Sequence, residues 1–341
     1  MTHLDGAWRR LQQSRRALLG LAMLGMLSLF AIFAEVVAAP APIFASGPGG
    51  LVVLPAIVHG ERYDALPEQE IAARHAGGTS LWPLVRVGPS TTTAAGPLAP
   101  SSRAHPLGTD ARGRDLCARL VYGARTALGL SLAAVLSSLL LGVVLGGLAG
   151  RGGFWNARLG RLVETVQTFP AIIVVALVRA IERQPSALSL VIAVACVRWA
   201  EVARLVRAAS LRAHGSEYVV AARALGASRA RVFVRHVLPN ALGAVFVSSV
   251  FGVASVVLLE ATVSFLALGA PTDVATWGET LAEGARQPEH LRLVLLPGAL
   301  LLLTLGGSYL LADALRDAFD PRALRTPRAG DDRPLDATAL G

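Results

Sequence analysis

The chain has 341 residues, 53% of them hydrophobic and 16% charged, with a formal net charge of +9 and a mean hydropathy of +0.54. Soluble domains are nearer a quarter charged, and a soluble chain this apolar would expose large adhesive patches, so the composition excludes an ordinary soluble protein and points to a bilayer. All 32 basic residues are arginine, which excludes a P-loop ATPase or a Schiff-base enzyme, both of which need a lysine.

A membrane-spanning helix needs about 20 apolar residues. In chain order, a basic N-terminal segment 1–17 with Arg9, Arg10, Arg15 and Arg16 precedes a first predicted span, Leu18–Ala39. Val37, Ala38 and Ala39 resemble a signal-peptide cleavage site. The apolar stretch is longer than the roughly 7–15 residues of a signal core, so it is read as a retained helix. Residues 40–125 form an external segment, rich in Gly, Pro and Thr as far as Ala104. A core membrane domain over 126–320 carries five further spans: Thr126–Ala149, Leu162–Ile181, Ala187–Val206, Leu238–Leu268 and Leu293–Leu315. Residues 321–341 read as a disordered tail. The predicted fold is an all-α, polytopic membrane protein of about six helices.

The arginine-dense stretches Arg151–Arg161, Arg204–Arg235 and the region from Arg316 place both termini in the cytoplasm by the positive-inside rule. Arg112, Arg114, Arg119 and Arg125 break that rule, with Asp110 and Asp115 as nearby partners. The arginines flank apolar runs and form no aromatic-interleaved patch, so no nucleic-acid partner is expected. His105 and His236 lack companion ligands, and no nucleophile–base pair stands out; neither a metal, a cofactor nor a catalytic residue is expected. Cys117 and Cys196 read as small buried hydrophobes. Glu164 stands three residues after Arg161, a spacing that permits a helical ion pair.

The most informative stretch is the loop at about 208–237. From Glu217, the residues Tyr218, Ala221, Ala222 and Leu225 recur at helical spacing. Gly226 is placed to stop that helix, Ser228 to cap the next, and Pro239, after Leu238, to open the fifth span. A small-residue helix of this kind either docks in a groove of another protein or lies on lipid headgroups. Two other features stay open. Glu260, inside the fifth span, is a gate or a packing acid. Asp110, with Arg114 and Asp115 in a short polar turn, caps the next helix or closes the outer mouth of a pathway.

The order Ala221-Ala222, Gly226, then Leu238-Pro239 resembles the signature loop of binding-protein-dependent ABC importer permeases. His105-Pro-Leu-Gly-Thr-Asp110 with Gly113-Arg114-Asp115, Tyr122 to Arg125, Phe169-Pro170, Arg204 to Arg207, Glu260 to Gly269, Trp277-Gly278 and Asp313 to Pro321 resemble the dipeptide/oligopeptide/nickel branch in order. Val220 stands where that family often carries Glu, and the nearest acid is Glu217. The resemblance implies a transporter subunit in a bacterial inner membrane. Its cargo would be peptides or similar small solutes. Its partners would be a homologous second permease, two ATPase subunits and an external solute-binding protein. It also implies that Glu217–Gly226 with Leu238 and Pro239 couples to the ATPase, the contact resting on Tyr218, Ala222 and Leu225. An ion-coupled secondary transporter and a non-transporting scaffold are the other classes.

Overall fold

The computed structural model describes residues 3–47, 50–53, 79–182, 186–269 and 274–319. Helix α1 (His3–Gln13) runs into α2 (Arg15–Ile32), capped by Ser14, and a short α3 (Ala34–Val37) follows. The strands β1 (Phe44–Gly47), β2 (Gly50–Val53) and β3 (Thr79–Leu81) form an antiparallel sheet in the order β2-β1-β3. The bundle comprises α4 (Leu116–Ala149), α5 (Gly153–Thr168), α6 (Ala171–Ile181) and α7 (Ala187–His214). Next come α8 (Glu217–Ala224), α9 (Arg229–Val232), a π turn (Phe233–Val237), α10 (Leu238–Phe265), α11 (Trp277–Arg286) and α12 (Arg292–Phe319).

The all-α expectation holds for the bundle, with the small sheet as an addition in the stretch between α3 and α4. Four described stretches are long and apolar enough to cross a membrane: Arg15–Ile32, Leu116–Ala149, Arg229–Phe265 and Arg292–Phe319. The third predicted span, Leu162–Ile181, is instead two helices bent by 79°. Pro170 lacks an N–H and is the N-cap of α6, so the helix stops and restarts there. That pair makes a fifth crossing if it is one span. The fourth predicted span grows into the 28-residue α7, whose Arg198, Glu201 and Arg204 interrupt its apolar run. By length and composition alone, four or five of the about six expected spans are found among the described residues. The expected tail from residue 321, with the motif residue Asp320, lies outside the described residues.

The closest packing in the bundle joins α4 to α7. Ser138, Gly142, Gly146 and Gly150 recur every four residues on α4, and all four are buried. Small residues at that spacing let helix backbones approach, which is how apolar helices gain packing energy in lipid. A Cβ at Gly146 would lie 2.5 Å from the Ala203 carbonyl oxygen. Gly146→Val is expected to force the helices apart and destabilise the fold by about 1–3 kcal/mol, the usual range for overpacking. Thermal unfolding in detergent checks it, with Gly129→Val, a helix glycine whose Cβ meets nothing within 4 Å, as the control.

The other contacts orient the ends. Helix α2 crosses α12 where Gly20 meets the Gly307 backbone, and Arg16 pairs with Asp313 at 2.9 Å. Trp277 of α11 lies on Gly123 and donates Nε1–H to the Leu120 carbonyl at 2.9 Å. Arg179 of α6 donates to the carbonyls of Leu268, at 3.0 Å, and Gly269, satisfying backbone groups just beyond the end of α10. Glu164 pairs with Arg207 of α7 at 3.6 Å rather than with Arg161, because the bundle brings α5 against α7. Cys196 is exposed and Cys117 half-buried, so the buried-cysteine expectation fails for Cys196.

Candidate functional site

The two ends of the bundle are chemically unlike. At one end, α8 stands out from the bundle as a short helix ended by a complete glycine stop. The N–H of Gly226 donates to the Arg223 carbonyl and that of Ala227 to the Ala222 carbonyl, both at 3.0 Å. Gly226 has φ +85°, as a C′ glycine in this motif requires. The side chain of Ser228 then caps α9, accepting from the Arg231 N–H at 3.3 Å. Sequence spacing anticipates both devices.

The face that α8 offers differs from the expected one. Val219 is buried with Ala213, Val232 and Val237, and Ala222 and Ala227 pack against that cluster. Ala222 therefore belongs to the inner row and is not an outward contact. The outer row is Tyr218, Ala221 and Leu225, with Leu225 89% exposed; Val220, 58% exposed, lies on another side of the helix. Glu217, in the first turn, is exposed as well. An eight-residue helix has only about two turns, so a shift of one residue in the apolar pattern reverses which alanine faces out.

Pro239 does not break the chain between loop and span. The π turn absorbs it: the Leu238 N–H reaches back to the Phe233 carbonyl, and the helical path runs from Arg229 to Phe265. Phe233 seats in the surface left by Gly147 of α4, where a Cβ would come within 2.7 Å of the ring. Asn240 donates to the Tyr218 hydroxyl at 3.3 Å and to the His236 carbonyl at 3.0 Å, tying α8 to the start of α10. Leu238 is half-buried and Pro239 exposed. Behind α8 lies a cavity of about 210 Å³ lined by Gly147, Ser210, Val219 and Phe233 among others, with Arg151, Arg223 and Arg229 also in its wall. Phe233, Val219 and Asn240 are beyond the sequence reading, since their roles depend on which helices meet.

At the opposite end, the residues from His105 to Asp115 fold onto α11. Asp110 is fully buried and accepts from the backbone N–H groups of Arg112 and Arg114, each at 2.9 Å. Arg114 pairs with Asp110 at 2.6 Å and Glu283 at 2.8 Å, and Arg119 with Glu279 at 2.5 Å. The helix cap is Asp115, which accepts from the Ala118 N–H at 2.8 Å and meets His105 at 2.8 Å. Asp110 thus holds the turn and its arginine and does not cap α4. Burial works against the Arg114 charge, but Asp110, Glu279 and Glu283 outweigh it and strengthen its hold on its proton. Burial, then the neighbouring Asp110, pushes the Glu283 carboxyl upward against the pull of Arg114 and Arg119.

This cluster explains the arginines that break the positive-inside pattern. Arg112, Arg114 and Arg119 answer to Glu279 and Glu283, and Arg125 to Glu35 at 2.5 Å. The sequence signal was an excess of arginine in 112–125 calling for acids elsewhere, and Glu279 and Glu283 stand one helical turn apart just after Trp277. Glu260 is buried in α10 near Leu130, Ala134, Leu190 and Val256. It accepts from the Ser264 hydroxyl at 2.7 Å, and no ion pair to it is found among the described residues. No group of three metal-binding side chains occurs among the described residues.

The sequence profile described as the binding-protein-dependent transport system inner membrane component matches residues 138–325, which contain α8, the π turn and α10. The chain belongs to that family. Residues 3–47 match the N-terminal membrane domain of oligopeptide transport permease C. An oligopeptide transport system permease protein of Bacillus subtilis is 33% identical over 236 residues, covering 68% of this chain and 77% of that protein. A dipeptide transport system permease protein of Alkalihalophilus pseudofirmus is 34% identical over 223 residues, covering 65% and 73%. Among solved structures, an amino acid ABC transporter with histidines aligns with a TM-score of 0.46 at 20% identity, covering 58% of this chain and 94% of that one. Family membership makes this permease a multi-pass inner-membrane subunit that works with an ATPase and a solute-binding protein.

Proposed function

We propose that this permease carries peptides or similar small solutes inward, and that α8 is its seat on the ATPase. The observation that carries the reading is the outer row of α8. Tyr218, Ala221 and Leu225 leave apolar surface exposed on a helix fixed at its stop by Gly226 and tied to α10 through Asn240. An amphipathic helix presenting such a row fits a groove on another protein. ATP-driven closure of two ATPase subunits would push α8, and the unbroken path from Arg229 to Phe265 would carry the push into the bundle. A homologous second permease completes the pathway, ATP hydrolysis stays in the ATPase subunits, and both termini and α8 lie in the cytoplasm. The cargo assignment rests on the peptide permeases to which the chain is similar.

The test is peptide uptake by the complete transporter in proteoliposomes, with ATP supplied on the α8 side. Gly226→Val is expected to lower uptake about tenfold, because a side chain in the left-handed region costs about 1–2 kcal/mol. Nothing lies within 4 Å of a Cβ there, so the loss is conformational rather than a clash. Gly226→Asn, which tolerates that region, is expected to retain most activity. Equal activity in wild type and Gly226→Val would count against α8 as the coupling element.

A further inference from the structure

We propose that the cavity behind α8 binds an anionic phospholipid, with an acyl chain in the cavity and the phosphate on Arg151, Arg223 and Arg229. All three arginines are in its wall, and no acidic residue is. They are exposed, and no ion pair or side-chain hydrogen bond to them is found among the described residues. Ser210 lines the same cavity. It is 3% exposed, and its hydroxyl has no hydrogen-bond partner among the described residues. Buried hydroxyls nearly always have a partner, so this one calls for an acceptor such as a lipid ester oxygen. A Cβ at Gly150 would come within 2.6 Å of that hydroxyl, so the glycine leaves it room beside Arg151.

The cavity lies where the C-terminal end of one candidate span, Leu116–Ala149, meets the N-terminal end of another, Arg229–Phe265. Along α4 its wall runs from Val144 to Arg151, about two helical turns. Along the path into α10 it runs from Arg229 to Val237. Both stretches carry arginine at the outer end and apolar residues toward the middle of the span. Val144 and Val234 are in the wall yet 52% and 61% exposed, which leaves apolar surface at its opening. A soluble anion would satisfy the arginines and leave that apolar surface bare. A phospholipid answers both, and basic pockets between spans bind anionic headgroups. Val219 and Arg223 bring α8 into the wall, so a bound lipid bridges α8 and α4.

The test uses the complete transporter in detergent and a phosphatidylglycerol with a photoreactive group on its acyl chain. Crosslinks mapped by mass spectrometry are expected within 144–151 and 229–237. Arg151→Gln combined with Arg229→Gln is expected to cut their yield about thirtyfold, at about fivefold for each arginine near an anionic lipid. The matching pair of lysine substitutions should keep most of it. Crosslinks confined to other surfaces, or an unchanged yield in the glutamine pair, overturn the proposal. The readout needs neither ATP nor uptake, so it stands or falls apart from the coupling role of α8.

A second measurement uses the wild type alone and does not depend on any variant folding. Unlabelled phosphatidylglycerol is expected to compete for the crosslink at least about tenfold better than phosphatidylcholine, whose headgroup is zwitterionic. Equal competition by the two lipids overturns the arginine assignment. Inorganic phosphate that competes as well as phosphatidylglycerol would make this a site for a soluble anion, and overturns the lipid.

Discussion

Arg114→Gln is expected to destabilise the folded permease by about 3–5 kcal/mol, the cost of leaving buried charges without their partner. Among the described residues, Asp110 and Glu283 would then share a buried site with Arg119 and the more exposed Arg112 to answer them. The loss should appear as a lower unfolding temperature in detergent and as poor yield from the membrane. The backbone N–H groups of Arg112 and Arg114 would still bind Asp110, so the turn itself persists. Pairing Arg114→Gln with Glu283→Gln is expected to recover part of the loss, since it removes a carboxylate that the arginine neutralised. A double variant no better than the single one would mean that Glu283 is not an energetic partner of Arg114.

Leu225→Asp is expected to leave the fold intact and to uncouple it. Leu225 is 89% exposed and contributes little to the permease's own core. A surface substitution of this kind normally changes stability by no more than about 0.5 kcal/mol. Seated in a groove of the ATPase, the same carboxylate would be buried without a partner, at a cost of about 3 kcal/mol or more. Binding of the ATPase should weaken at least about a hundredfold. Ala222→Val is the informative contrast. Ala222 lies on the inner row, so a larger side chain there should disturb the packing with Val219 and Val232 before it affects any outside contact. Tyr218→Phe should keep the outer apolar surface while losing the Asn240 bond, separating docking from transmission into α10.

Much of this was legible in the residues. Gly226 and Ser228 are local devices, set by the backbone conformation each residue permits, and both stand where their spacing puts them. The apolar runs mark the helices because a bilayer demands satisfied backbone groups over a fixed length. What the sequence leaves undecided depends on neighbours. Pro170 breaks its helix sharply while Pro239 passes through a π turn, and nothing local separates the two. Ala221 and Ala222 are chemically identical, and only the position of α8 against Val232 and Val237 decides which one faces out. Asp110 and Asp115 both offer a cap, and the one adjoining α4 takes it. Glu279 and Glu283 stand more than a hundred and fifty positions from the arginines they pair with, so the folded chain alone brings them together.

The central claim is that the outer row of α8 is where the ATPase sits. Its most direct measurement is co-purification of the partner ATPase co-expressed with this permease, with wild type, Leu225→Asp and Ala222→Val run together at equal permease loading. The expected result is stoichiometric ATPase with the wild type and almost none with Leu225→Asp, while the permease itself elutes as a folded, monodisperse species in both. An ATPase that stays fully bound to Leu225→Asp, or one that never associates with the wild type, would contradict it.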